Sequence, residues 1–189
     1  MKNGKDFIVI GGSAGSLQVI LKIISFINND FSIPVLLVLH RNMQSDSTLE
    51  DLLSAKTNLI VKEVEEKDVI SPGHIYFCPS NYHVLVEEDH SFSLDDSERV
   101  HHSRPSIDVV FNSAADVFGE KLLCILLSGA NADGAEGLQY AKKLGSTTVV
   151  QDISEAEVAY MPEQALKLGK VDYQLSAVEI AGLLNSLEF

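Results

Sequence analysis

The stretch Phe7-Ile8-Val9-Ile10-Gly11-Gly12-Ser13-Ala14-Gly15 joins an unbroken apolar run to the pattern G-x-S-x-G. Leu17, Ile20, Leu21, Ile24 and Ile27 follow it at helical spacing. A buried strand that turns sharply into a helix is the opening unit of an α/β domain. Glycines on both sides of Ser13 let the backbone make the bend without Cβ clashes, and the turn holds the hydroxyl out of the sheet. The N-terminal N–H groups of the following helix point at the same space and favour negative charge there. Ser13 is therefore a candidate nucleophile. The same residues also suit a turn that only packs a helix on a sheet or holds a phosphate. A dinucleotide fingerprint is excluded, because it needs glycine where Ser13 stands, and a P-loop is excluded because no Gly-Lys-Ser/Thr closes the turn.

Working outward, Pro34 introduces a second apolar run, Val35 to Leu39, which ends in His40. Leu49, Leu52 and Leu53 mark a helix, and Ile60 to Val64 a short strand. The alternation predicts βαβ units and a parallel sheet. Three short apolar segments, Ile75 to Cys78, His83 to Val86 and Phe92 to Leu94, are separated by polar turns and read as antiparallel hairpin strands at one edge of that sheet. Pro105 suits a first helical position, with Ile107, Val110, Phe111, Ala114 and Phe118 on one face of a helix that ends at Gly119. Leu122 to Leu127 is a fully buried strand that runs into Ser128-Gly129-Ala130-Asn131-Ala132-Asp133-Gly134, and a helix through Leu138 and Ala141 follows. Thr147 to Val150 is a further strand, Pro162 starts a short helix, and Ser176 with Glu179 forms the capping box of the last one. The fold class is α/β: a doubly wound, mostly parallel sheet flanked by helices, built as a single domain over residues 1–189.

Composition narrows the function. A formal net charge of −13 argues against nucleic acid as a partner, since phosphate contacts need concentrated Lys and Arg. No apolar run is long enough to span a bilayer and the amino end has no signal-peptide core, so a cytoplasmic protein without membrane insertion is expected. Cys78 and Cys124 form no C-x-x-C pair and read as small buried hydrophobes. No His, Cys, Asp or Glu spacing looks like a metal site; His101 and His102 are adjacent and would not share a helical face. Neither metal nor cofactor is expected.

Ser13, His40 and Asp133 share one property: each lies at or just beyond the carboxyl end of a predicted parallel strand, the edge where open α/β sheets build their sites. A serine hydroxyl needs a base within reach, a neutral imidazole is suited to take its proton, and a carboxylate on the far nitrogen fixes the tautomer. Candidate oxyanion donors are the backbone N–H groups near Ala14 and His40 and in the loop after Ser128. His40 could equally end a strand, and Asp133 before Gly134 could be only a turn or cap residue.

Six segments extend the pattern along the chain. Val9-Ile10-Gly11-Gly12-Ser13-Ala14-Gly15 resembles I-G-A-S-T-G-G, Leu39-His40 resembles Q-H-M-P, and Ser71-Pro72-Gly73-His74-Ile75-Tyr76 resembles P-G-x-x-Y. Arg104 to Phe111 is similar to R-P-S-V-D-V-L-F, Ser128 to Gly137 to T-G-M-G-N-D-G-A-A-G, and Tyr160 to Ala165 to G-M-P-R-E-A. These are motifs of the catalytic domain of the chemotaxis protein-glutamate methylesterases, the CheB family. The resemblance implies Ser13 as nucleophile, His40 as base and Asp133 as third member. It implies γ-glutamyl methyl esters on the cytoplasmic bundle of methyl-accepting chemoreceptors as substrate, with deamidation of some glutamines as a side activity. The family's usual receiver domain has no counterpart in these 189 residues, which leaves two expectations open, a stand-alone form and a fragment, with a separate receiver domain as one candidate partner. Ala14 replaces threonine, Arg41-Asn42 replaces Met-Pro, and Ala130 replaces methionine. Those departures keep two alternatives open: a receptor-binding module with weak or lost activity, or an esterase for another small ester.

Overall fold

The computed structural model describes residues 4–40 and 46–187. Arg41 and Asn42 lie outside them. Seven strands, β1 (Phe7–Gly12), β2 (Val35–Leu39), β3 (Ile60–Glu63), β4 (His74–Phe77), β7 (Leu122–Leu126), β8 (Thr147–Gln151) and β9 (Tyr173–Leu175), form one sheet in the order β3-β4-β2-β1-β7-β8-β9. All of its pairings are parallel. The remaining strands, β5 (His83–Val86) and β6 (Phe92–Asp95), pair antiparallel with each other as a separate hairpin.

Strand side chains alternate between two cores because the side-chain period is two. Phe7 and Val9 of β1 join Leu36, Val38 and Tyr76 on one face, while Ile8 and Ile10 join Leu37, Ile75 and Phe77 on the other. The first face is covered by α3 (Ile107–Phe118), α4 (Ala135–Lys143), α5 (Tyr160–Leu168) and the β5–β6 hairpin, the second by α1 (Ser16–Ser25), α2 (Asp46–Ser54) and α6 (Ala177–Asn185). Both faces being covered explains why β1, β2 and β7 are continuous apolar runs with every residue buried. Cys78 and Cys124 are both buried, are not joined in a disulfide, and pack in the first core. Among the described residues no helix is long and apolar enough to cross a membrane.

The α/β class is as expected, and three local readings are corrected. The segment from Ile75 is not a hairpin strand: β4 lies inside the parallel sheet between β3 and β2. The hairpin is also not an edge of the sheet. Val84, Val86 and Phe92 bury its apolar side in the first core beside α3, which satisfies the hydrophobic pattern without extending the ladder. Pro105 precedes the helix rather than starting it, since Ser106 is the N-cap of α3 and its side chain accepts from Val109 N. β9, a three-residue edge strand, carries no sequence signal of its own. The Ser176–Glu179 capping box of α6 is formed as read.

Candidate active site

The chain runs outward from β1 through β2 to one side of the sheet and returns to place β7 on the other. The carboxyl ends of β2, β1 and β7 therefore meet at the topological switch, where open sheets bind ligands. Ser13 follows β1, His40 follows β2, and Asp133 lies in the loop after β7. Backbone pairing continues one step past the strands: His40 N donates to Gly12 O at 3.3 Å and Ser13 N donates to Ser128 O at 2.9 Å. The serine turn is thus fastened to both neighbours.

The turn needs glycine at one point above all. Gly15 has φ 78°, and a Cβ there would sit 2.7 Å from Glu157 Cβ and 2.9 Å from Ser128 Oγ. Ser16 closes the bend from the helix side, with its N and Oγ both donating to Ser13 O at 3.0 and 2.6 Å. Ser128, fully buried, ties the β7 loop to the same turn: its hydroxyl donates to Ala14 O at 2.7 Å and accepts from Val158 N at 2.9 Å, and its own N donates to Gln151 Oε1 at 2.9 Å.

His40 Nε2 and Asp133 Oδ2 are 2.8 Å apart. Asp133 has no exposed surface, and its two oxygens accept four hydrogen bonds. Oδ2 takes His40 Nε2 and Ile107 N (2.7 Å); Oδ1 takes Ser106 Oγ (2.8 Å) and Asp108 N (3.0 Å). Burial alone would push this carboxyl up, but the hydrogen bonds from His40, from the N–H groups of Asp108 and Ile107 and from Ser106 outweigh it and hold it below the ordinary carboxylate range. An ionised Asp133 accepts only, so Nε2 carries a proton and Nδ1 of a neutral His40 is the free base. Asp133 also accepts from the first N–H groups of α3, those of Ile107 and Asp108, a capping contact made across the fold and not to the helix that follows it in sequence.

A second carboxyl lies behind the first. Asp108 is 6% exposed; burial pushes it up to about 6, aided by the negative charge of Asp133 and opposed by the N–H of Gly137 and by His101. Its Oδ1 accepts from Gly137 N at 2.6 Å, and its Oδ2 lies 3.2 Å from His101 Nε2. Two neighbouring carboxyls driven in opposite directions are a pattern of functional sites. His101, Asp108 and Asp133 bring ligand-type atoms within 4.8 Å of one another. Both Asp133 oxygens are already filled by N–H and O–H donors, so the trio reads as an extension of the His40–Asp133 pair and not as a cation cage.

The structure joins His40 to Asp133 directly. Ser13 sits on the adjacent strand end, and its hydroxyl makes no hydrogen bond to a described residue. Sequence reasoning missed Ser103, whose Oγ is 3.2 Å from His40 Nδ1, and Asp108. It also missed His83, which is buried and bridges Glu98 O (3.0 Å) and Ser106 N (3.1 Å) behind the cap of α3. A signal for Asp108 was present in the motif segment Arg104 to Phe111, where Ser106 and Asp108 place polar side chains at the start of α3. Of the backbone donors considered for an oxyanion, His40 N is committed to Gly12 O, and Ser128 N and Gly129 N to Gln151 Oε1 and Val158 O, which narrows the choice to Ala14 and the loop beyond Gly129. Ala14 N makes no hydrogen bond to a described residue.

A parallel sheet that presents a serine turn, a histidine and a buried carboxylate at three adjoining strand ends has the layout of acyl-transferring hydrolases. Comparison with known proteins is more specific. The CheB methylesterase family model matches residues 8–184. A protein of Leptospira interrogans, provisionally named a protein-glutamate methylesterase/protein-glutamine glutaminase, is 44% identical over 97% of this chain and 95% of its own length. Protein-glutamate methylesterase/protein-glutamine glutaminase 2 of Methanospirillum hungatei is 39% identical over 95% of the chain, which spans 51% of that relative. The crystal structure of the Thermotoga maritima CheB methylesterase catalytic domain superposes with a TM-score of 0.92 at 28% identity, covering 98% of this chain and 100% of that one. The chain belongs to the CheB methylesterase family.

Proposed function

We propose that the chain is a protein-glutamate methylesterase, a single domain that hydrolyses γ-glutamyl methyl esters on the cytoplasmic part of chemoreceptors through Ser13, His40 and Asp133. The observation that carries the reading is the buried, fourfold hydrogen-bonded Asp133 carboxylate 2.8 Å from His40 Nε2, at strand ends adjoining the Ser13 turn in a chain of the CheB methylesterase family. Because Nε2 is committed to Asp133, the base is Nδ1, the reverse of the nitrogen assignment in the chymotrypsin-type triad.

Ser13 Oγ attacks the ester carbonyl carbon as its proton passes to His40 Nδ1, and the oxygen that gains charge is received by Ala14 N–H at the start of α1. Collapse breaks the bond to methoxide, which takes the proton from Nδ1 and leaves as methanol. Water then attacks the acyl-enzyme, giving its proton to Nδ1; the second tetrahedral adduct expels Ser13 Oγ, which regains that proton, and glutamate is released. A glutamine side chain enters the same cycle with ammonia leaving in place of methanol. Asp133 stabilises the imidazolium formed in each half.

The test is methanol release from a methylated chemoreceptor cytoplasmic fragment by the chain and by Ser13→Ala. Release by the first alone is expected. Binding of the fragment without release by either would transfer the reading to a receptor-binding module.

A further inference from the structure

The segment before α3 closes a turn over His40. Val100 N donates to Ser103 O at 3.2 Å and Ser103 N to Val100 O at 2.8 Å, and the two central residues, His101 (φ 49°) and His102 (φ 63°), are both left-handed. Turns of that geometry are ordinarily filled by glycine, asparagine or aspartate. Side-chain-bearing residues in this backbone region persist where their surroundings over-determine them, and such places cluster at functional sites. The surroundings here are specific. Arg104 Nη1 donates to the carbonyls of Asp96 and Ser97, and Arg104 O accepts from Asn81 N at 3.3 Å, so the chain is clamped just after the turn. The side chains set in place are His101, at Asp108, and Ser103, at His40.

The tautomer decides what Ser103 does. Nε2–H is given to Asp133, so a neutral His40 has one in-plane lone pair left, on Nδ1, and Ser103 Oγ at 3.2 Å is its donor. That lone pair is the one that must take the proton of Ser13. We propose that Ser103 is a positioning residue that occupies the base nitrogen of His40 in the resting enzyme, and that Ser13 has to exchange with it at Nδ1 before attack. The proposal rests on the reading of Ser13 and His40 as nucleophile and base. It accounts for a nucleophile candidate whose hydroxyl makes no hydrogen bond to a described residue while a different serine holds the base.

Two measurements on the full chain test it. The first is the rate at which a fluorophosphonate labels Ser13, a step in which the Oγ–P bond forms, fluoride leaves and His40 takes the proton. Ser103→Ala should label about fivefold faster than the wild type, the weight of one neutral hydrogen bond no longer to be displaced, and Ser103→Thr, which keeps the hydroxyl, should label at the wild-type rate. Equal or slower labelling of Ser103→Ala would overturn the exchange. Labelling of His40→Ala at the wild-type rate would instead sink the base assignment beneath it. The second measurement needs no turnover and reads folding in the same spectra: the ¹⁵N resonance of His40 Nδ1 should move in Ser103→Ala and stay in Ser13→Ala. The reverse pattern would place Ser13 on the base in the resting state and overturn the proposal.

Discussion

Asp133→Asn separates two tasks that one side chain performs. The carboxylate receives four donors on two oxygens, and asparagine, with one oxygen and one NH₂, cannot reproduce that set. With the NH₂ in place of Oδ1, Ser106 can rotate to accept, but Asp108 N–H is left facing a donor. With the NH₂ in place of Oδ2, His40 can change tautomer to accept at Nε2, but Ile107 N–H is orphaned and Nδ1 now carries the proton. Either arrangement leaves one buried N–H of the first turn of α3 unsatisfied, about 1–3 kcal/mol, and removes a carboxylate from a helix N-terminus, about 0.3–2 kcal/mol. The expected loss is ~2–4 kcal/mol, read as a urea midpoint lower by about 1 M.

The rate should fall further than stability. One orientation blocks the base nitrogen and the other removes the charge that supports the imidazolium, so methanol release from a methylated receptor fragment should drop by ~10³–10⁴ under conditions where the variant is folded. A midpoint loss accompanied by less than about a tenfold rate loss would leave Asp133 as a helix cap only. An unchanged midpoint would refute the capping argument. His40→Ala provides the contrast, since it removes the base and leaves the α3 N–H groups with their acceptor.

Asp108 gives a pH test of opposite sign from an ordinary ion-paired carboxylate. Its folded value, pushed up to about 6 by burial, lies above the unfolded one, so the stability it contributes is present below about pH 4 and lost as pH rises toward 6. That fall amounts to at most ~3 kcal/mol and should vanish in Asp108→Asn, whose amide oxygen can still accept from Gly137 N; parallel urea-midpoint profiles of the two proteins from pH 4 to 7 would refute the burial argument. Gly137→Ala should cost ~1–3 kcal/mol in thermal unfolding, because the new Cβ would lie 2.9 Å from Asp108 Cα and 3.0 Å from Asp108 O, forcing α3 and α4 apart. A neutral result would mean that the two helices can slide without disturbing the Asp108 contact.

The sequence is legible where a residue's role follows from its neighbours along the chain. Val35 to Leu39 and Leu122 to Leu126 announce buried parallel strands because a strand covered on both faces has no polar side to show. Ser13 and His40 then stand out because each terminates such a run, and Asp133 because its loop does. A four-residue segment such as His74–Phe77 gives no comparable guidance: its apolar run fits an antiparallel hairpin as well as a central parallel strand, and only pairing with β2 and β3 decides. The residues behind the His40–Asp133 pair are illegible for a related reason. Ser103 reaches His40 across 63 positions and Asp108 N reaches Asp133 across 25, and neither spacing is fixed by any local period. His101 and His102 carry the same lesson in backbone form, because nothing in a His-His pair signals a left-handed turn; the clamp at Arg104 that accompanies it exists only in three dimensions. Local chemistry along the chain thus marks Ser13, His40 and Asp133, while the contacts that Ser103, Ser106, Ile107 and Asp108 make to His40 and Asp133 come from the tertiary fold. The departures at Ala14 and Ala130 belong to the first level, Asp108 belongs to both, since it lies inside the motif segment Arg104 to Phe111 while its contacts to Gly137 and Asp133 arise only in the fold, and Ser103 belongs to the second alone.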